Sequence, residues 1–144
     1  MFSMNRIQFA FCTLALSAPI TVSANESVAR QWNELLLESI RNDFARPTVH
    51  ARNLFHTSAA MWDAWSCFED GPAPWLFNES VIPTGNIETS RETAISHAVF
   101  GLLTHRFAQS PGADTMLPAY ENLMVSLGLD PTNDTLIGNS PAAV

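Results

Sequence analysis

The segment that most constrains this chain is residues 46–68, RPTVHARNLFHTSAAMWDAWSCF. Pro47 suits a first helical position, since its φ is preset and its missing amide would have no intrahelical acceptor there. The following residues hold no further Pro and no Gly, and no formal charge falls between Arg52 and Asp63. Leu54, Phe55, Met61, Trp62, Trp65 and Phe68 project on more than one side, with Ala59 and Ala60 between them. A helix apolar on several sides is ordinarily enclosed by others. The expectation is an all-α fold of about four helices packed around a central helix over residues 47–68.

Flanking segments carry the same period. Val28, Trp32, Leu35, Leu36 and Ile40 recur at steps of three and four, with Arg30, Glu34, Glu38 and Arg41 elsewhere, predicting an amphipathic helix over residues 26–42. The short turn Asp43-Phe44-Ala45 predicts an antiparallel hairpin with the next helix. A third helix is expected to open at Thr89-x-x-Glu92, a capping-box spacing, with Ala94, Ile95, Ala98, Val99, Leu102, Leu103 and Phe107 forming a broad apolar face. Ser110-Pro111-Gly112 separates it from a fourth, over residues 114–127, with Gly128 placed as its C-terminal cap. Between helices two and three, residues 69–86 hold Trp75, Leu76, Phe77, Val81 and Ile82, so that long connection reads as a strap packed on the core or as a binding loop.

Residues 1–24 carry Arg6 alone as charge, an apolar run, and Val22-Ser23-Ala24 at its end. That is the pattern of a secretory signal peptide cut after Ala24, with an uncleaved anchor as the alternative, and it predicts a secreted or periplasmic protein. Residues 25–144 then form the helical domain. Six arginines face fourteen carboxylates there, a net charge of −8, and the chain has no lysine. Nucleic-acid binding draws most of its affinity from phosphate neutralisation, so no nucleic acid is expected as a partner. Cys67 is the single cysteine of residues 25–144, which precludes a disulfide within them; it reads as a small apolar residue. Ser140-Pro141-Ala142-Ala143-Val144 resembles the opening of a further helix, and the expectation is that the sequence is incomplete at its C-terminus.

The run ARQWNELLLESIRNDFARPTVHARNLFHTSAAMWDAW resembles the N-terminal helical region of bacterial vanadium-dependent haloperoxidase-related proteins, of the superfamily that includes type 2 phosphatidic acid phosphatases. The resemblance rests on Trp32, Asn33, Leu36, Ile40, Arg41, then Arg46, Pro47, Thr48, Ala51, Arg52, Leu54, and Ala60, Met61, Asp63, Ala64, Trp65. RETAISHAVFGLLTHRF, SPGAD and the LGLDP turn extend it. It implies a secreted helical protein whose complete relatives hold vanadate or phosphate and oxidise halide or hydrolyse phosphate esters. The motifs that do this in the family are Lys-x6-Arg-Pro, Pro-Ser-Gly-His and Ser-Arg-x3-Gly-x-His-x3-Asp. The first needs a lysine, and Ser39 stands at its place before Arg46-Pro47; no Gly-His pair exists for the second. Ser90-Arg91 and His97 echo the third, but Ile95 and Gly101 replace its glycine and aspartate. The expectation is no catalytic, cofactor or metal residue in this chain, and no bound vanadate. The missing remainder of the fold is the expected partner, with self-association through exposed apolar surface.

The four histidines, His50, His56, His97 and His105, form no Glu-x-x-His or His-Glu-x-x-His motif. His56 and Asp63 lie two turns apart on one helix face, where they read as a buried polar pair bonded to neighbouring helices or as part of a proton or metal site. Arg52 is expected to meet carbonyls or an acid such as Glu34 or Glu38. A free-standing helical binding module is the alternative reading of function.

Overall fold

The computed structural model describes residues 26–132 except 70, 72, 78, 79 and 84. The signal-like segment and the helix start expected at Ser140 lie outside the described residues. Four helices form the fold: α1 (Val28–Arg41), α2 (Pro47–Ser66), α3 (Ile87–Phe107) and α4 (Ala113–Ser126). No strand occurs among the described residues. The all-α, four-helix expectation holds.

Local signals set the helix ends. Ser27 caps α1 by accepting from the Arg30 amide at 3.3 Å. Pro47 occupies the first turn of α2 as expected. α3 starts earlier than the Thr89 spacing indicated, because the Asn86 side chain accepts from the amides of Glu88 and Thr89 and captures the orphan donors first. At the end of α4, Gly128 takes φ +75°; its amide bonds Val125 O at 3.0 Å and the Leu129 amide bonds Met124 O at 2.9 Å. That pair of bonds is the Schellman closure the glycine was expected to make.

The centre of the fold is α3, not α2. α3 packs against α1, α2 and α4, whereas α2 touches α3 and only lightly α1, and does not meet α4. The α1–α2 hairpin is therefore not a packed pair; α3 holds the two together. The core is closed by Trp32 and Leu36 of α1, Val99, Leu103 and Phe107 of α3, and Tyr120 and Met124 of α4, each at most 1% exposed. Trp32 donates to Ser96 Oγ at 3.2 Å, and the Tyr120 hydroxyl meets Ser39 Oγ, which donates to Leu35 O at 2.6 Å. Burial pushes the Tyr120 phenol above its ordinary range, against the hydrogen bond with Ser39 that pulls it down.

α2 is inverted relative to a common amphipathic helix. Its buried side includes His50, Asn53, Thr57, Asp63 and Ser66, while Leu54, Phe55 and Trp62 are exposed. Counting apolar residues on several faces made α2 look enclosed, but part of that apolar surface points outward. Arg52 is exposed, and Glu38 is already bonded to Arg41 and Asn42, so the expected Arg52–Glu38 contact does not form. Cys67 is buried at the end of α2 with its thiol pushed upward by burial, in keeping with the role of a small core residue.

Candidate binding cleft

α2 and α3 run antiparallel: His56 meets Arg106 near one end of their contact, and Glu69 meets Arg91 near the other. Between these points many of the facing residues are small, Ala59, Ala60 and Ala64 on α2 with Ala98 and Gly101 on α3, and Leu102 is the one large aliphatic side chain among them. Large side chains there would have closed the seam. Small ones leave a cleft of about 840 Å³, within the size range of small-molecule sites. A Cβ built on Gly101 meets no atom within 4 Å, so that wall of the cleft is open space.

The strap supplies the outer wall with Trp75, Leu76 and Phe77. It is hung by its backbone rather than by its side chains. Asp63 accepts the amides of Trp75, Leu76 (2.8 Å) and Phe77 (3.2 Å), Trp62 Nε1 donates to Ala73 O at 3.2 Å, and the Val81 amide donates to Cys67 O at 2.8 Å. Trp75 packs edge-on to Phe55 at 5.7 Å between ring centres. Leu76 and Ile82 nevertheless stay more than four-fifths exposed. The strap reading holds for the backbone, and of its apolar side chains Trp75, Leu76 and Phe77 line the cleft.

The polar lining is sparse. Arg106 Nη2 lies 2.9 Å from His56 Nδ1. A guanidinium has no acceptor, so Nδ1 accepts. Arg106 Nε is buried with no hydrogen-bond partner among the described residues. His97, opposite Asp63 in the helix register, is buried; burial lowers its pKa, and Asp130 pulls weakly the other way. Asp63, the one carboxylate of the lining, is already committed to three amides.

The structure thus brings His56, Asp63 and His97 to one cleft, but His56 bonds Arg106 rather than Asp63. His50 sits apart, its Nε2 2.8 Å from Phe44 O, and His105 is exposed on α3. Among the described residues no three His, Cys, Asp or Glu side chains converge as a metal-binding group. Ser90 and Arg91, the motif echo, have local work: Ser90 Oγ donates to Asn86 O, and Arg91 pairs with Glu69 and Glu88 beneath the Trp65 ring. Vanadate does not fit the cleft. It asks for several cationic donors and free amides, whereas the cleft has one guanidinium and the nearby strap amides are taken by Asp63.

Arg106 was not singled out from the sequence. The signal lay in the small residues Ala59, Ala60 and Ala64 of α2 and Ala98 and Gly101 of α3, which line the cleft. Comparison of the chain with protein-family models, curated proteins and solved structures finds no match.

Proposed function

We propose that the chain is the N-terminal helical region of a secreted or periplasmic vanadium haloperoxidase-like protein, without catalysis of its own, and that it serves by packing against the remainder of that fold. The observation that carries the packing role is the inversion of α2, with Leu54, Phe55 and Trp62 on its exposed side. Exposed apolar surface of this kind marks an interaction site. The family assignment rests on the Trp32–Arg41 and Arg46–Trp65 residues, several of which carry architecture here: Trp32 in the core, Pro47 opening α2, Asp63 anchoring the strap. Among the described residues no helix is long and apolar enough to cross a membrane. The test is turnover: the purified chain with orthovanadate, bromide and hydrogen peroxide, and separately with p-nitrophenyl phosphate, is expected to give none. Measurable product in either assay overturns the non-catalytic reading.

A second reading, a free-standing module that binds a small apolar molecule, is favoured by the α2–α3 cleft. Size-exclusion chromatography with light scattering separates the two. A monodisperse helical monomer favours the module; self-association through α2 favours the packing role.

A further inference from the structure

We infer that the α2–α3 cleft is a site for a small amphipathic carboxylate, its apolar tail lying between Ala60 and Gly101 and its head at Arg106; this rests on the binding-module reading. The apolar part follows from shape. The small facing residues leave a slot along the seam, and Trp75 and Leu76 line its outer side with apolar surface that stays largely exposed. From His97 to Arg106 the α3 wall rises roughly 13 Å at 1.5 Å per residue, enough for a medium-length alkyl or aryl-alkyl chain.

The charge follows from the partners. A partly buried guanidinium ordinarily faces a carboxylate. Arg91, its side chain 9% exposed, does so here by pairing with Glu69 and Glu88, yet Arg106 meets only the imidazole of His56; the Nε of each is buried without a partner among the described residues. Asp63, on the opposite wall, is held by the strap amides and is not available to it. An incoming carboxylate supplies the missing acceptor, and the planar fork of arginine suits it better than a lysine would. One cation matches one monoanion, so a phosphate monoester or an oxyanion of higher charge is disfavoured.

The test is titration of the purified chain with decanoate and with 1-decanol, followed by calorimetry and tryptophan emission, in the unaltered protein, Arg106→Gln and Gly101→Leu. Decanoate is expected to saturate one site, to bind at least tenfold more weakly to Arg106→Gln, and to lose binding in Gly101→Leu. Decanol is expected to bind the unaltered protein and Arg106→Gln alike. Gly101→Leu fills the slot where no atom stands and replaces a helical glycine, so its thermal midpoint should not fall; lost binding there is not lost folding. If both ligands bind but Arg106→Gln changes neither, the carboxylate inference fails and the module reading stands. If neither binds, both fail.

Discussion

Asp63 of α2 accepts the backbone amide of Leu76 at 2.8 Å, so a helix side chain holds a residue thirteen positions on that is itself 83% exposed. The same carboxylate takes the amides of Trp75 and Phe77. Three donors on one anion act much like a helix N-terminus on a bound carboxylate: the charge orders a segment that has little apolar burial to order it. Asp63→Ala is expected to cost about 2 kcal/mol, since charged hydrogen bonds contribute more than neutral ones but the freed amides can meet water. Limited proteolysis should then cut within residues 73–82 first. Asp63→Asn, with a single acceptor oxygen, should fall between. Unchanged proteolysis in Asp63→Ala would show that side-chain packing, not Asp63, holds the strap.

His97 gives the fold a pH dependence of known sign. Burial holds its pKa below the ordinary histidine value, so the unfolded chain takes up that proton first as pH falls. The stability is present in full above the ordinary value of about 6.5 and is lost progressively as pH falls from there toward the lowered folded value. Urea midpoints between about pH 7.5 and pH 5.5 should therefore decline, and His97→Leu should flatten that decline. Asp130 raises the pKa slightly, so Asp130→Asn should steepen it. A midpoint that does not fall below pH 6.5 in the unaltered chain would count against a neutral buried His97.

Much of the architecture was legible because period and cap agreed. The α1 stripe, Pro47 at the start of α2 and Gly128 after α4 each pair a burial pattern with a stereochemical requirement, and all three hold. The centre of the fold was not legible, because hydrophobic periodicity weighs side chains by type and not by partner. Asp63 was expected to be buried beside His56 and is buried, but it bonds the strap; Asn53 and Thr57 carry no periodic signal and are buried too, with Thr57 Oγ1 bonding Asn53 O at 2.9 Å. Polar groups whose partners lie in the backbone, as for Thr57 and Asp63, lose most of the cost of burial, and side-chain type alone does not show it. The cleft was hidden for a related reason. It is made by what Ala60, Ala98 and Gly101 lack, and Arg106 joins it only through the α2–α3 register.

Trp32 and Ser96 should behave as one unit. The indole N–H donates to Ser96 Oγ in the core at 3.2 Å, and Ser96 in turn donates to Glu92 O at 2.7 Å. Ser96→Ala strands a buried indole donor and should cost roughly 1–3 kcal/mol. Trp32→Phe removes the donor and leaves a void beside Tyr120, whose ring centre lies 6.5 Å away. The double variant should cost clearly less than the two single losses together, because the second change removes nothing that is still bonded. Denaturant melts of the four proteins measure this directly; strict additivity would mean the hydrogen bond contributes nothing.

Two glycine-to-alanine changes should act in opposite directions for reasons of space. Gly112 lies where the start of α4 crosses the end of α1, and a Cβ there would stand 2.5 Å from Asn42 Cβ and 3.0 Å from Asn42 O. Its φ of −88° is open to any residue, so the obstacle is contact and not backbone conformation. Asn42 cannot yield easily: its side chain bonds Glu38 O at 2.9 Å and its amide also bonds Glu38 O, closing α1. Gly112→Ala must therefore push α4 from α1 and should cost roughly 1–3 kcal/mol, the usual penalty of overpacking. At Gly101, inside α3, an added Cβ meets nothing within 4 Å, and alanine should stabilise by about 0.5–1 kcal/mol through the unfolded chain's lost freedom. Thermal melts that move the same way for both changes would refute the close α1–α4 contact at Gly112.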